Sequence, residues 1–164
     1  MTFIWMKQAL TSAEVVLPDV DSRWVAMHFV AFRFLIGTIS TLVILKASRS
    51  GFSDPEVWKG GFSLGLILIL GFLIQMVGLT DVTPAVSAFL TSLYVVFTAV
   101  MGVALGRQRV TSFMIFGVLL ATFGAGWISG PPRVEFGVGE WLTVVSGFLF
   151  AMHIIVTDLS LIHI

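Results

Sequence analysis

The sequence contains no cysteine. That excludes a disulfide framework, a thiolate metal site and a thiol nucleophile. Charge is nearly as scarce: 11% of the 164 residues are Asp, Glu, Lys or Arg, nine basic against nine acidic, for a net charge of zero. No basic run is present, so no nucleic-acid partner is expected. The three histidines are scattered and make no H-E-x-x-H pair, and neither a metal nor a cofactor is expected. Proline is limited to five residues, Pro18, Pro55, Pro84, Pro131 and Pro132, which fall between or at the ends of apolar runs. The short apolar start is followed, not preceded, by Lys7, which is unlike a secretory signal.

What remains is apolar. The hydrophobic share is 57% and the mean hydropathy +1.04, far above a soluble domain of this size. Long uncharged runs with charged punctuation predict an all-α, polytopic helical membrane protein. The clearest run is Ala85 to Leu105, with Pro84 at its start and Arg107 and Arg109 beyond its end. At a rise of about 1.5 Å per residue it matches a hydrocarbon core of about 30 Å. Spans are expected at about 24–45, 58–79, 85–105, 112–128 and 141–157, with Thr2 to Leu10 too short to cross by itself. Lysine and arginine in the short loops set orientation. Lys46, Arg49, Lys59, Arg107 and Arg109 outnumber Arg23, Arg133 and Lys7, which places the 46–59 and 106–111 turns in the cytoplasm.

Polar residues inside the spans are the candidates for function. Arg33 lies about 13 Å from the start of its helix at Trp24. A mid-membrane arginine costs about 2.5–3.5 kcal/mol on insertion scales, which points to a cavity cation meeting an anionic group. The structural alternative is a side chain that snorkels to the headgroups. Ser87, Thr91, Tyr94 and Thr98 recur at helical spacing and put four hydroxyls on one face. That stripe either lines a solute path or bonds back to carbonyls and neighbouring helices. Tyr94 is the chain's only tyrosine and sits mid-span, away from an interfacial belt, which favours lining. Gln75 shares a face with Phe72 and Leu68 and is read as a lining amide or a helix-joining one. His153 lines up with Ser146, Phe150 and Thr157. As the side chain that titrates near neutrality, histidine is a proton-relay or lining candidate, together with Ser87 and Thr98. Gly61-x-x-x-Gly65, Gly102-x-x-x-Gly106 and the Gly117, Ala121, Gly124 face are expected to admit close helix contacts.

The stretches G-L-T-D-V-T-P-A-V-S-A-F-L-T-S-L-Y-V-V-F-T-A-V (78–100), L-G-R-Q-R-V-T (105–111) and G-V-L-L-A-T-F-G-A-G (117–126) carry a family pattern. With F-R-F-L-I-G at 32–37 and F-I-W-M-K-Q-A-L at 3–10, the chain resembles the EamA-type branch of the drug/metabolite transporter superfamily. The resemblance implies two five-helix repeats of inverted topology and movement of small organic solutes across the bacterial inner membrane, often against protons or another solute. It assigns residues 1–130 to a first repeat with a partial first helix, and 131–164 to the start of a second, inverted repeat. The expectation is a transporter fragment cut at both ends. The turn that commonly reads Gly-Glu-basic in the family is Gly106-Arg107-Gln108-Arg109 here, so any role of that acid in conformational coupling does not carry over.

The expected function is transport of a small metabolite or drug-like solute by alternating access. Arg33, Gln75, Thr91 and Tyr94 are the lining candidates. The expected partners are the solute, the lipid bilayer, and either the remaining half of the transporter or a second copy as a homodimer. The rival is a helical membrane scaffold or assembly subunit without a solute path. Catalysis is not expected, because the spans offer no paired acid and base and no metal cluster.

Overall fold

The computed structural model describes residues 2–44, 55–107, 109, 111–128 and 137–161. They form seven helical segments and, among the described residues, no strand. The segments are α1 (Thr2–Val16), α2 (Ser22–Ile44), α3 (Pro55–Asp81), α4 (Pro84–Ser92), α5 (Tyr94–Ala104), α6 (Ser112–Ile128) and α7 (Val138–Leu161). The molecule is an all-α, polytopic membrane protein. Among the described residues, four stretches are long and apolar enough to cross a bilayer: Ser22–Ile44, Val57–Asp81, Pro84–Ala104 and Val138–Leu159. At 17 residues, α6 sits at the short end of the spanning range of about 17–25 residues.

Helix ends follow from local chemistry. α1 continues past Leu10 to Val16, where Pro18 disfavours helical geometry in the residue before it. The Asp21 carboxylate accepts from Arg23 N at 2.8 Å and starts α2. Pro55 opens α3 with the ring that fits a first helical turn. At the other end of α3, Lys7 Nζ donates to Leu79 O and Thr80 O at 2.8 and 2.7 Å. Those carbonyls belong to the last turn, which lacks amide partners and carries the negative end of the helix dipole. Thr83 caps α4 by accepting from Val86 N, with Pro84 just inside.

The expected single helix over 85–105 is divided at Leu93. There the amide bonds three residues back, to Leu90 O at 3.3 Å, and Ser92 Oγ donates to Phe89 O at 2.6 Å. Three residues per turn instead of 3.6 advances the helix face by about 20° at that residue. Gly106 closes α5 at φ 67°, a left-handed conformation that glycine adopts freely. Its amide bonds Val103 O at 2.9 Å and Arg107 N bonds Gly102 O at 3.0 Å, the paired bonds of a Schellman cap.

α3 and α7 run antiparallel and share the most extensive packing in the molecule. Their approach is set by glycine. A Cβ on Gly78 would lie 2.9 Å from Gly139 O and 2.9 Å from Thr143 Oγ1, and one on Gly139 would lie 2.8 Å from Asp81 Cβ. Gly71 meets the Phe150 ring and Gly147 meets Thr91 O of α4. The glycines expected from spacing behave differently: a Cβ on Gly61, Gly65, Gly117 or Gly124 would meet nothing within 4 Å, while Gly102 is buried and Gly106 serves the turn. Spacing marks a smooth face without saying whether a neighbour covers it.

Met6, Leu10, Ala26, Val30, Met76, Leu79 and Val82 form a buried cluster joining α1, α2 and α3, and it closes the end of the bundle nearest Asp81. α6 lies at the edge against α4 and α5. Its Phe113 is 90% and its Trp127 78% exposed. In a bilayer such side chains meet acyl chains as apolar as themselves, so helix association rests on fit and not on burial from water.

Candidate functional site

Below the buried cluster the helices part around an open-sided cavity of about 430 Å³, at whose mouth Arg33 and Tyr94 are exposed. Its polar lining is Arg33 from α2, Gln75 from α3, Thr91 from α4, Tyr94 from α5 and His153 from α7. Residues far apart in sequence thus meet because α7 lies antiparallel to α3 while α4 and α5 run alongside it.

Each polar group is held differently. Gln75 Nε2 donates to Thr91 Oγ1 at 2.8 Å, and both residues are buried. The amide therefore joins α3 to α4 on the cavity wall. Arg33 projects its guanidinium over the Phe72 ring, with Cζ 4.8 Å from the centroid, and Nη1 donates to Met6 Sδ at 3.8 Å. A ring face and a thioether stabilise a cation weakly and leave its charge uncompensated. His153 Nδ1 lies 3.1 Å from Leu64 O. A carbonyl only accepts, so the proton of a neutral ring is assigned to Nδ1, leaving the Nε2 lone pair for another donor.

The other two hydroxyls of the stripe lie elsewhere. Ser87 is fully buried, and its Oγ has no hydrogen-bond partner among the described residues. Thr98 donates to Tyr94 O at 2.7 Å and faces a separate groove shared with Met114, Gly117 and Val118. Tyr94 borders both spaces. The tightened turn at Leu93 rotates α5 relative to α4, so even spacing in sequence does not give one continuous face in space.

A model described as the EamA-like transporter family matches residues 2–130. The chain belongs to the EamA-like transporter family. It is also similar to an uncharacterized transporter of Archaeoglobus fulgidus, at 30% identity over 126 residues. The aligned part covers 77% of this chain and 38% of that protein, so the match spans well under half the length of this curated relative. No solved structure matches.

In this EamA-like protein the apolar cavity wall comes from Phe3, Met6, Leu68, Phe72, Phe150 and Ile154. Leu68 and Phe72 share the face of Gln75 and Phe150 that of His153, but Phe3, Met6 and Ile154 carry no such mark, because a lipid-facing and a cavity-facing apolar side chain look alike in sequence. The edge-to-face pairs Phe34–Phe72 and Phe72–Phe150, with centroids 5.4 and 5.1 Å apart, were the missing signal, and they exist only in three dimensions. In the family's altered turn, Arg107 Nη1 pairs with Asp158 Oδ2 near the C-terminal end of α7.

Proposed function

We propose that this chain supplies part of the wall of a solute path in a membrane transporter, and that the 430 Å³ cavity is where a small organic solute sits. The carrying observation is the convergence of Arg33, Gln75, Thr91, Tyr94 and His153 on one space between spans. Polar and charged groups are costly inside a bilayer and turn toward protein interiors or wet cavities. The volume lies in the range of small-molecule sites, about 300–1,000 Å³. Family membership and the transporter of Archaeoglobus fulgidus support the same reading. Rocking of one helical bundle against another would expose the space to each side in turn. The proposed setting is a bacterial inner membrane. The remaining cavity wall comes from further helices of a longer protein or from a second copy of this chain.

Tyr94→Cys tests this directly, because the sequence offers no other thiol. The introduced thiol is expected to react with a membrane-impermeant maleimide in sealed vesicles. Full protection from both sides, in every condition, would favour the scaffold reading. In the transporting assembly, Arg33→Ala is expected to abolish solute flux while leaving the amount of membrane-inserted protein unchanged. Normal flux through a well-inserted Arg33→Ala protein would remove Arg33 from the site.

A further inference from the structure

We infer that the cavity is selective for small organic monocarboxylates with an aromatic or branched apolar body. The inference rests on the cavity being a solute site and adds its charge preference. Arg33 contributes a positive charge whose described contacts are the Phe72 face and Met6 Sδ, and neither is anionic. Among the described lining residues there is no carboxylate. A solute ammonium would meet repulsion from Arg33 and find no acid to pair with. A solute carboxylate matches the planar guanidinium fork and neutralises it. One guanidinium balances one negative charge, so a doubly charged anion would carry an unmatched charge into the cavity.

The remaining lining fixes the body of the solute. Phe72 and Phe150 stand edge to face, and Phe3, Leu68 and Ile154 complete an apolar wall. Gln75 and Thr91 spend one donor and one acceptor on each other, and the few polar groups left on the wall, with Tyr94 and His153, are too few to satisfy a heavily hydroxylated solute. A sugar-like body would strand most of its hydroxyls against aromatic carbon, and unpaired polar groups are costly in such a setting.

The test uses the whole chain in detergent micelles with Ile154→Cys as a reporter on the cavity wall. The rate of maleimide labelling is measured with phenylacetate, 2-phenylethanol or phenethylamine present. Phenylacetate is expected to protect at a concentration about tenfold below that of the alcohol or the amine, as one charge-assisted contact supports. Arg33→Gln is expected to erase that preference, and Arg33→Lys to retain part of it. Equal protection by all three compounds, or a preference for the acid that survives Arg33→Gln, overturns the inference. If Arg33→Gln fails to fold, the three-compound comparison on the reporter protein decides alone. A reporter that never reacts removes the solute-site reading beneath the inference. One that reacts and is best protected by the amine removes the charge preference and leaves the site.

Discussion

The hydrogen bond from Gln75 to Thr91 joins two helices across the cavity wall, and its two ends are not equivalent. Gln75→Leu leaves Thr91 a hydroxyl that can turn back to the carbonyl four residues before it. Thr91→Val leaves the Gln75 amide without its acceptor in an apolar surround, which is costlier. Thr91→Val is therefore expected to destabilise the protein more than Gln75→Leu in detergent unfolding. A double-mutant cycle should return a coupling of about 0.6 kcal/mol, the average for interhelical hydrogen bonds in membranes. A coupling indistinguishable from zero would mean the bond is not formed. The positions of the polar residues were legible in the sequence because charge and amide are rare in these spans. Their partners were not. Nothing in the spacing says that Gln75 meets Thr91 while Ser87, one turn before Thr91, finds no partner among the described residues.

Among the elements, each expected span falls on helix: 112–128 matches to the residue, 85–105 is divided at Leu93, and other helices outrun their apolar runs. α1, α3 and α7 reach beyond the apolar runs to Val16, back to Pro55 and on to Leu161. Hydropathy marks the part of a helix that sits in hydrocarbon, whereas backbone hydrogen bonding continues into the headgroup region. The glycines show the opposite failure: the motif is visible and its neighbour is not. Gly78→Ala is expected to cost about 1–3 kcal/mol, because the added carbon meets backbone that cannot yield. Gly65→Ala has open space and is expected to be neutral or to stabilise by up to about 1 kcal/mol. Unfolding titrations in mixed micelles measure both, and equal costs at the two positions would contradict the close approach of α3 and α7.

Across the whole molecule, two polar contacts mark opposite ends of the bundle. Lys7 holds the last turn of α3, and Arg107 pairs with Asp158 of α7. Single cysteines at Arg107 and Asp158 are expected to label from one side of the membrane, the cytoplasmic one by the lysine and arginine count. Cysteines at Asp81 and Gly137 are expected to label from the other. Labelling of Arg107 and Asp158 from opposite faces would break the topology. Exchanging the two charges is expected to change stability by less than about 1 kcal/mol, as for exposed pairs generally. Overall architecture was readable because a bilayer allows few alternatives to helices. The mutual arrangement of those helices was not, since lipid and protein neighbours select the same apolar residues.

The seam between Gly78 and Gly139 also constrains biogenesis. α3 leaves the ribosome well before α7, so the strip of α3 that carries Gly71 and Gly78 enters the membrane uncovered and must wait for α7 to arrive. Translation that stops before residue 138 would yield an inserted intermediate with that strip still bare. Such an intermediate is a natural target for membrane quality-control proteases. Packing of α3 is therefore a late event relative to its insertion, reached only when α7 docks onto a helix made much earlier.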